Sequence, residues 1–439
     1  MSADDSLRQS LRARLAAARL RTDELFALLR PQALVSRPIP EWHRVIFYLG
    51  HFELFDWNLL CRDALGQVSS DTALDELFRV GFRTPDGRHP DQASDWPAEE
   101  VIRRANARWR AEVDTALEKI PFSNPPHPYF ERGAAFHFAI EHRLMHAETF
   151  TYKLHCLPPE MKVAPPRAVA PAAQAARPRP IEIPAGTATL GLERGANGLI
   201  GWDNEYEAHR VKVPGFVIGS HNVTNGEFLE FVRAGGYQEK SLWSERGWRW
   251  RASQELEHPL HWVRRGDEWF YRTLFEEIPL PSDWPVFVAF EEAAAYARWT
   301  GKRLPTEAQF HRAAYGAPDG RERAFPWGDD APSPARGNFD FAHWEPAPVG
   351  SHPAGSSAFD VHDLVGNGWE WTSTPFAPFA GFEPLPFYAT YSAHAFDDGH
   401  YVLKGGSART AACLLRRSFR NWYQPCFPFA YAKFRLVEQ

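Results

Sequence analysis

The sequence contains few cysteines, and they are far apart. Cys61, Cys156, Cys413 and Cys426 form no Cys-x-x-Cys pair anywhere along the 439 residues. This spacing excludes a dense disulfide framework and a cysteine-based zinc site, which both need closely spaced thiols. A reducing compartment, the cytoplasm, is therefore the expected location.

Long hydrophobic runs and long runs of one charge are also missing. No segment approaches the ~20 consecutive apolar residues that span a bilayer, and the first 30 residues lack the apolar segment of a signal peptide. The formal net charge is −6, without a basic patch. Neither nucleic acid nor a membrane is therefore an expected partner.

The composition is that of a globular protein with more than one core. Hydrophobic residues make up 44% of the chain, with 17 Trp and 32 Phe, which is far too apolar for a disordered protein. A chain of 439 residues exceeds the usual size of a single core, so two domains are expected.

The first domain, residues 1–157, has the apolar periodicity of long helices. Helices are predicted over about 5–30, 41–62, 97–120 and 129–156, with a polar loop over 85–97. Four such helices form an antiparallel bundle, and bundle cores are common places for metals held by facing helices.

The second domain, residues 181–439, follows a Pro/Ala-rich linker over 158–180. Its strands are short and its loops are rich in Gly, Pro and Trp, which predicts an irregular α+β domain. Helices are predicted at Asn225–Ala234, Phe290–Thr300 and Thr306–Tyr315. The fold class of the whole chain is therefore α+β, in two domains.

A candidate metal site lies in the fourth predicted helix. His142 and His146 are four residues apart, so both imidazoles lie on one helical face. His51, inside the apolar run 45–57, is the best candidate for a third ligand, because a histidine in such a run needs a partner for its ring nitrogens. Glu148 is placed to hold a ligand histidine or a water from outside the coordination sphere. The alternative is an ordinary hydrogen-bonded or solvated pair of histidines.

A series of motifs in the second domain resembles the formylglycine-generating-enzyme/sulfatase-modifying-factor fold. The motifs are Ile183–Thr187, Asn222–Phe228, Gly301–Glu307, Pro326–Gly328, Gly366–Trp371, Lys404–Ser407, Arg420–Asn421 and Phe434–Leu436. The first domain resembles a DinB-like four-helix bundle, whose signature is three histidines placed as His51, His142 and His146 are here.

The two domains in this order resemble the ergothioneine-type sulfoxide synthases, with relatives that make ovothiol and selenoneine. The resemblance implies a mononuclear non-haem Fe(II) cofactor and O2 as oxidant. The implied substrates are N,N,N-trimethylhistidine (hercynine) and a thiol or selenol donor, joined at C2 of the imidazole. Three neutral imidazoles leave about three coordination positions open for such substrates.

The resemblance also implies a proton donor in a loop of the second domain. In the family this residue is a tyrosine near the iron, and the candidates here are Tyr391 and Tyr388. The alternative is that both tyrosines only pack within an aromatic loop.

The resemblance places part of the substrate pocket near the C-terminus, at Arg420, Asn421, Trp422 and Tyr423. The aromatic rings could hold a trimethylammonium group by cation–π attraction, and Arg420 could bind a carboxylate. The alternatives are aromatic packing and structural ion pairing.

Three positions depart from the family pattern. Met145 stands where many members carry Gln before the last histidine ligand, at a position that contacts hercynine. The loop 92–97 lacks the arginine pair that grips γ-glutamylcysteine, and Arg88 is the nearest basic residue. Gly368 stands where Val is usual, which is expected to open space at the site. The donor therefore stays open among γ-glutamylcysteine, cysteine and a selenosugar, and so does coupling at C2 or C5.

Other classes of function are less consistent with these residues. A formylglycine-generating oxidase needs a close cysteine pair near its C-terminus, whereas Cys413 and Cys426 are thirteen residues apart. A non-catalytic binding module leaves the three histidines unexplained. A zinc hydrolase also accepts three histidines, but nothing else in the chain resembles one. The oligomeric state cannot be read from the sequence.

Overall fold

The computed structural model describes residues 2–79, 90, 92–165, 178–195 and 200–438. The chain divides into two units, Met1–Arg167 and Ala168–Gln439, and the dividing point falls within the predicted linker. None of the four cysteines forms a disulfide bond. A search of the described residues finds no helix with the length and apolar character needed to cross a membrane.

The first unit is helical, and the four long helices predicted from the sequence are confirmed. The helices are α1 (Ala3–Ala27), α2 (Val45–Trp57), α3 (Thr72–Phe78), α4 (Glu99–Lys119) and α5 (Ala134–Cys156). A π-helical turn, Asn58–Asp63, continues α2, and a 3-10 turn, Pro128–Gly133, precedes α5. The sequence analysis missed the short helix α3, which begins at an Asp71 cap.

The long helices form a bundle because each has an apolar stripe. In α1, a capping box of Ser2 and Asp5 fixes the start, and Leu11, Leu15 and Ala18 are buried at helical spacing. α1 packs against α5, and α2 packs against α4. α2 is the central helix, since every residue in it except Phe55 is buried.

A buried ion cluster joins α2 to α5. The Arg143 guanidinium is fully buried and donates to both carboxylate oxygens of Glu53, at 2.7 and 2.8 Å. It also donates to Asp56, at 2.6 and 3.1 Å. We call Arg143, Glu53 and Asp56 the Arg143 clamp. Arg143 further contacts Thr22 of α1, and Arg110 of α4 donates to Glu53, so the cluster touches all four long helices.

The two carboxylates of the Arg143 clamp differ in pKa. Burial raises the pKa of Asp56, and the nearby Glu53 charge adds to this rise. Burial also acts on Glu53, but Arg143 and Arg110 outweigh it and hold the pKa of Glu53 below its usual range. Glu53 therefore stays ionised to lower pH than Asp56.

The second unit is built from short strands. They are β1 (Pro180–Ile183), β2 (Gly186–Leu190), β3 (His209–Val213), β4 (Phe216–Gly219), β5 (Trp262–Arg265), β6 (Glu268–Arg272), β7 (Glu277–Pro279), β8 (Trp369–Pro375), β9 (Tyr401–Lys404), β10 (Asn421–Tyr423) and β11 (Ala432–Lys433). The largest sheet has the order β10-β9-β8-β11, with β11 parallel to β8. β1 pairs with β4, β2 pairs with β3, and β5, β6 and β7 form a three-stranded sheet.

The three helices predicted in the second domain are confirmed as α6 (Asn225–Arg233), α8 (Phe290–Trp299) and α9 (Glu307–Tyr315). A further helix, α7 (Glu245–Ser253), was missed because it is charged, contains a glycine and has only Gly247 buried. The N-terminus of α7 could have been predicted, because serine is a favoured N-cap residue. In the structure the Ser244 hydroxyl accepts a hydrogen bond from the Gly247 amide.

Several signature motifs of the second unit meet in a buried ion network. Glu370, Lys433 and Arg435 are each fully buried. Arg435 donates to both oxygens of Glu370, while Lys433 donates to Asn222 at 2.9 Å. These residues hold β8 to β11 and to the C-terminal segment. The motifs therefore mark the structural core of this domain.

Gly368 does not open space, so that expectation was wrong. Its φ is +149°, which disfavours a side chain. A Cβ atom there would lie 2.8 Å from the Phe287 ring and 3.0 Å from the Lys433 side chain. The volume that a valine would use is already occupied by these two residues.

We predict that Arg143→Met strongly destabilises the helical unit. Removing the guanidinium leaves Glu53 and Asp56 buried without their main counter-charge, which costs about 3–5 kcal/mol. The matched control is Arg103→Met on α4, whose ion pair with Glu99 is exposed and is worth at most ~1 kcal/mol. Urea unfolding followed by circular dichroism measures both, and an equal small loss in the two variants would contradict the role of the Arg143 clamp.

We also predict that His137 makes the helical unit acid-sensitive. The Arg14 guanidinium donates to His137 Nδ1 over 2.7 Å, and burial together with Arg14 lowers the pKa of His137 to about 4. The unfolded chain takes up this proton near pH 6.5, so stability falls as the pH drops from there toward 4, by about 1.4 kcal/mol per pH unit.

His137→Asn keeps an acceptor for Arg14 but does not titrate. The variant should therefore lose less unfolding free energy than the wild type between about pH 7 and pH 4.5. Identical pH dependence of the two proteins would show that His137 does not set the acid limit.

Candidate functional site

Three histidines converge in the core of the helical unit. His51 comes from α2, and His142 and His146 come from successive turns of α5. One ring nitrogen of each can be chosen so that all three atoms lie within 4.8 Å of one another. Within the described part of the chain, this is the one group of three or more His, Cys, Asp or Glu side chains with such geometry. We call it the histidine triad.

Neighbouring groups fix the orientation of the rings. His51 Nδ1 lies 2.7 Å from the Phe78 carbonyl oxygen, which can only accept, so Nδ1 carries the proton. This tautomer leaves the Nε2 lone pair of His51 available to a metal. Phe55 stacks on His142 with ring centroids 3.3 Å apart, and Phe47 stacks on His51 at 4.9 Å.

The electrostatics of the histidine triad favour metal binding. Burial lowers the pKa of His142 and of His146 well below the usual value. The neighbouring imidazoles of His146 and His51 lower the pKa of His142 further, and His51 does the same for His146. Both imidazoles are therefore neutral near pH 7 and offer lone pairs to a cation. The donor set, three imidazole nitrogens without a carboxylate, fits a divalent transition metal.

The other residues predicted near the metal lie on the same two helices. Glu148 is 3% exposed and accepts a hydrogen bond from Tyr152 over 3.3 Å. Met145 is half-buried on α5, one residue before His146. Glu53 and Asp56, which follow His51 on α2, bind Arg143. The roles of Glu148 and Met145 stay predictions.

A buried lysine lies close to the histidine triad. Lys153 Nζ is 3.7 Å from the Trp42 ring centroid and 4.2 Å from that of Tyr48. The Tyr48 ring is in turn 6.1 Å from the ring of His146. Burial lowers the pKa of Lys153 well below its usual value.

In the second unit, three of the predicted substrate and catalytic residues form one aromatic cluster. The ring of Tyr391 lies 5.6 Å from Tyr388 and 5.3 Å from Trp422. Trp202, which the sequence analysis did not single out, packs on Tyr391 at 4.2 Å. The cluster therefore joins the tyrosine loop to β10.

Both phenols are protonated at neutral pH. Burial, followed by the charge of Asp203, raises the pKa of Tyr388 to about 12. The same two causes raise the pKa of Tyr391 well above its usual value. A protonated phenol is the form that a proton donor requires.

The remaining predicted pocket residues have structural contacts. Arg420 is 2% exposed and donates to the Glu307 carboxylate and to the Asn204 and Ala377 carbonyls. At the start of β10, the Asn421 side-chain oxygen accepts a hydrogen bond from the Trp422 amide. Tyr423 stacks on Phe427 with ring centroids 4.7 Å apart. Their roles in substrate binding stay predictions.

Some residues that contact the predicted site residues were not identified from the sequence. The segment Trp202–Glu205 could have been noticed in the sequence, because three consecutive acidic or amide residues follow a tryptophan there. The contact of His51 with the Phe78 carbonyl was not readable, since a backbone acceptor has no sequence signature. Arg88 lies outside the described residues, and residues 92–97 contain a 3-10 turn, Ala93–Asp95, without an arginine.

Comparisons with known proteins cover both units. Residues 165–439 match the family model of the sulfatase-modifying factor enzyme 1-like domain. The hercynine oxygenase of Mycolicibacterium thermoresistibile is 38% identical over 342 residues, which are 76% of this chain and 74% of the relative. That of Mycolicibacterium smegmatis is 39% identical over 329 residues, 72% of each chain. Ergothioneine biosynthesis protein 1 of Neurospora crassa is 26% identical over 497 residues, covering 93% of this chain and 55% of the relative.

The two hercynine oxygenase matches are longer than the second unit and therefore extend into the helical unit. The Neurospora crassa match covers 93% of this chain and therefore includes most of the helical unit. An oxygenase of this kind uses a metal cofactor, for which the histidine triad is the candidate site. The chain is therefore an enzyme of the hercynine oxygenase family, the ergothioneine-type sulfoxide synthases, with a sulfatase-modifying factor enzyme 1-like second domain.

Proposed function

We propose that this enzyme binds Fe(II) at His51, His142 and His146 and uses O2 to join a thiol to C2 of the imidazole of hercynine. The product is a sulfoxide of the ergothioneine pathway. The single observation that carries the proposal is the convergence of three imidazoles in a chain of this family. When bound, Fe(II) supplies open coordination positions and one-electron redox chemistry.

The chain's own residues prepare this site. The Phe78 carbonyl holds the proton of His51 on Nδ1, so that no proton transfer is needed before a metal binds. Phe47 and Phe55 stack on the imidazoles and exclude water from them. The Arg143 clamp holds α2 against α5, which keeps the imidazoles at fixed separations.

The proposed reaction balances with O2 as the only oxidant. A C–H bond of the imidazole and an S–H bond of the thiol are replaced by a C–S bond, which releases two electrons and two protons. Oxidation of the sulfur to the sulfoxide releases two more electrons. O2 accepts all four, so that one oxygen atom enters the sulfoxide and the other leaves as water.

The choice of donor depends on residues that differ from the family pattern. Met145 offers an apolar thioether where Gln offers an amide, so recognition of hercynine must use other groups. Residues 92–97 offer no arginine for a γ-glutamyl carboxylate. The missing arginine pair favours cysteine over γ-glutamylcysteine as the thiol, with a selenosugar donor or coupling at C5 as the second candidate.

We predict that the full chain binds about one Fe(II) under anaerobic conditions and that His146→Ala or His51→Ala weakens binding by more than about 100-fold. The measurement is metal content after gel filtration, together with competition by Zn(II). His137→Asn is the matched control, because His137 lies on the same helix but contacts Arg14. Equal iron loss in the control, or iron retained in both triad variants, would contradict the assignment.

We further predict O2 uptake when the Fe(II)-loaded enzyme receives hercynine with one of three donors: cysteine, γ-glutamylcysteine or selenoglucose. Mass spectrometry should detect one sulfur- or selenium-linked hercynine, and His146→Ala should abolish it. Isotopic labelling at C2 and C5 of the imidazole assigns the position of the new bond. Iron binding without O2 uptake with any donor would refute the proposed substrates but not the metal site.

A further inference from the structure

A short buried segment of the second unit, Trp202–Glu205, contacts two of the chain segments that carry predicted site residues. It forms a 3-10 turn at Asp203–Glu205, and none of its four residues is more than 1% exposed. The Trp202 amide donates to the Glu205 side chain over 2.8 Å, which closes the turn. We call it the 202–205 segment.

The first contact of the 202–205 segment is with the tyrosine loop, residues 385–392. The Ser392 hydroxyl donates to Asp203 Oδ1, and Asn204 Nδ2 donates to the same hydroxyl over 2.9 Å. The backbone amides of Leu385 and Ser392 also donate to the Asp203 carboxylate. Asp203 therefore binds both ends of the loop that carries Tyr388 and Tyr391.

The second contact is with the segment that leads into β10. Glu205 accepts from Arg416 over 2.5 and 2.8 Å and from the Ser418 hydroxyl over 2.7 Å. The Asn204 carbonyl accepts from Arg420 over 3.2 Å. The same turn therefore fixes the approach to Trp422, whose ring is the other neighbour of Tyr391.

Tyr391 is thus held between two rings positioned by one segment. Trp202 packs on one side of it at 4.2 Å, and Trp422 meets it edge-on at 5.3 Å with an interplanar angle of 83°. A carboxylate that binds both ends of a loop restricts the loop's conformations, which matters when a group must stay within tenths of an ångström of a productive position.

We propose that Asp203 is a positioning residue, which fixes the tyrosine loop and thereby the Tyr391 phenol for its part in the reaction. The proposal rests on the proposed function for its consequence in catalysis, but the loop contacts stand on their own. The charge of Asp203 also helps to keep the phenol protonated, since it is a cause of the raised pKa of Tyr391.

The test compares Asp203→Asn with Asp397→Asn in the full chain. Asp397 is a matched control, since it lies just beyond the same loop and binds the Gly399 amide and His400, but its side chain is 48% exposed.

The first readout needs no turnover: 3-fluorotyrosine is placed at position 391, and its 19F resonance is followed against pH. Asp203→Asn should lower the phenol pKa by about one unit, whereas Asp397→Asn should leave it unchanged.

The second readout is steady-state kinetics of the Fe(II)-loaded enzyme with the active donor. Asp203→Asn should lower kcat by roughly 10- to 100-fold, with KM changed less than about twofold, because positioning of a proton donor acts in the transition state. The alkaline limb of the pH profile should move to lower pH. A purely structural role would instead lower kcat only in proportion to the folded fraction and leave the pH profile in place.

Ser392→Ala provides a second variant if Asp203→Asn fails to fold. It removes only the hydroxyl that bridges Asp203 and Asn204, and it should reproduce the fall in kcat without the shift of the phenol pKa. The proposal would be overturned if the Tyr391 phenol had the same pKa in Asp203→Asn as in Asp397→Asn. It would also be overturned if Ser392→Ala had the same kcat as Asp397→Asn. A wild type that turns over no donor would instead refute the proposed function, while the 19F titration would still decide the role of Asp203.

Discussion

The Arg143 clamp is the interaction on which the candidate metal centre depends. Arg143 follows His142 directly on α5, while Glu53 is two residues after His51 on α2. Each ion pair in the clamp therefore fixes the position of one helix relative to the other close to the ligands. A buried guanidinium is costly to desolvate, and this cost is recovered only when its carboxylate partners are in place. The clamp thus favours the single helix register in which the three imidazoles meet.

The helical unit places a buried ion cluster beside the metal ligands rather than among them. Arg143, Glu53 and Asp56 pair with one another, whereas Phe47 stacks on His51 and Phe55 stacks on His142. Among the described residues, no carboxylate joins the three histidines in the group that could hold a metal. The second unit also uses separate contacts for its core and for its predicted site residues. Glu370 and Arg435 hold the core together, while the 202–205 segment holds the aromatic residues around Tyr391.

Features that repeat along the sequence were predictable. The long helices follow from apolar periodicity, and the pairing of His142 with His146 follows from their spacing on one helix. His51 was the best candidate for a third ligand because it lies in an apolar run, and the resemblance to a family with three such histidines supported that choice. The motif series predicted the second domain well, since motifs such as Trp369–Trp371 encode a specific buried network rather than general propensity.

Features that depend on tertiary partners were not predictable. The helix α7 carries almost no apolar signal, and it is stabilised by its cap and by Arg246 binding Glu291 of α8. The space around Gly368 is decided by Phe287 and Lys433, which are distant in sequence. Likewise, nothing local in the sequence indicates that Asp203 binds residue 392, because loop partners of a buried acid are chosen by the fold.

The most direct test of this account is anomalous diffraction at the iron edge from crystals of the full chain loaded anaerobically with Fe(II). The account predicts one strong anomalous peak within bonding distance, about 2.0–2.2 Å, of one nitrogen each from His51, His142 and His146. It also predicts that the Arg143 clamp is intact in the same map. A peak bound to only two of these histidines, or iron bound elsewhere in the chain, would contradict the claim that the clamp aligns a three-histidine metal centre.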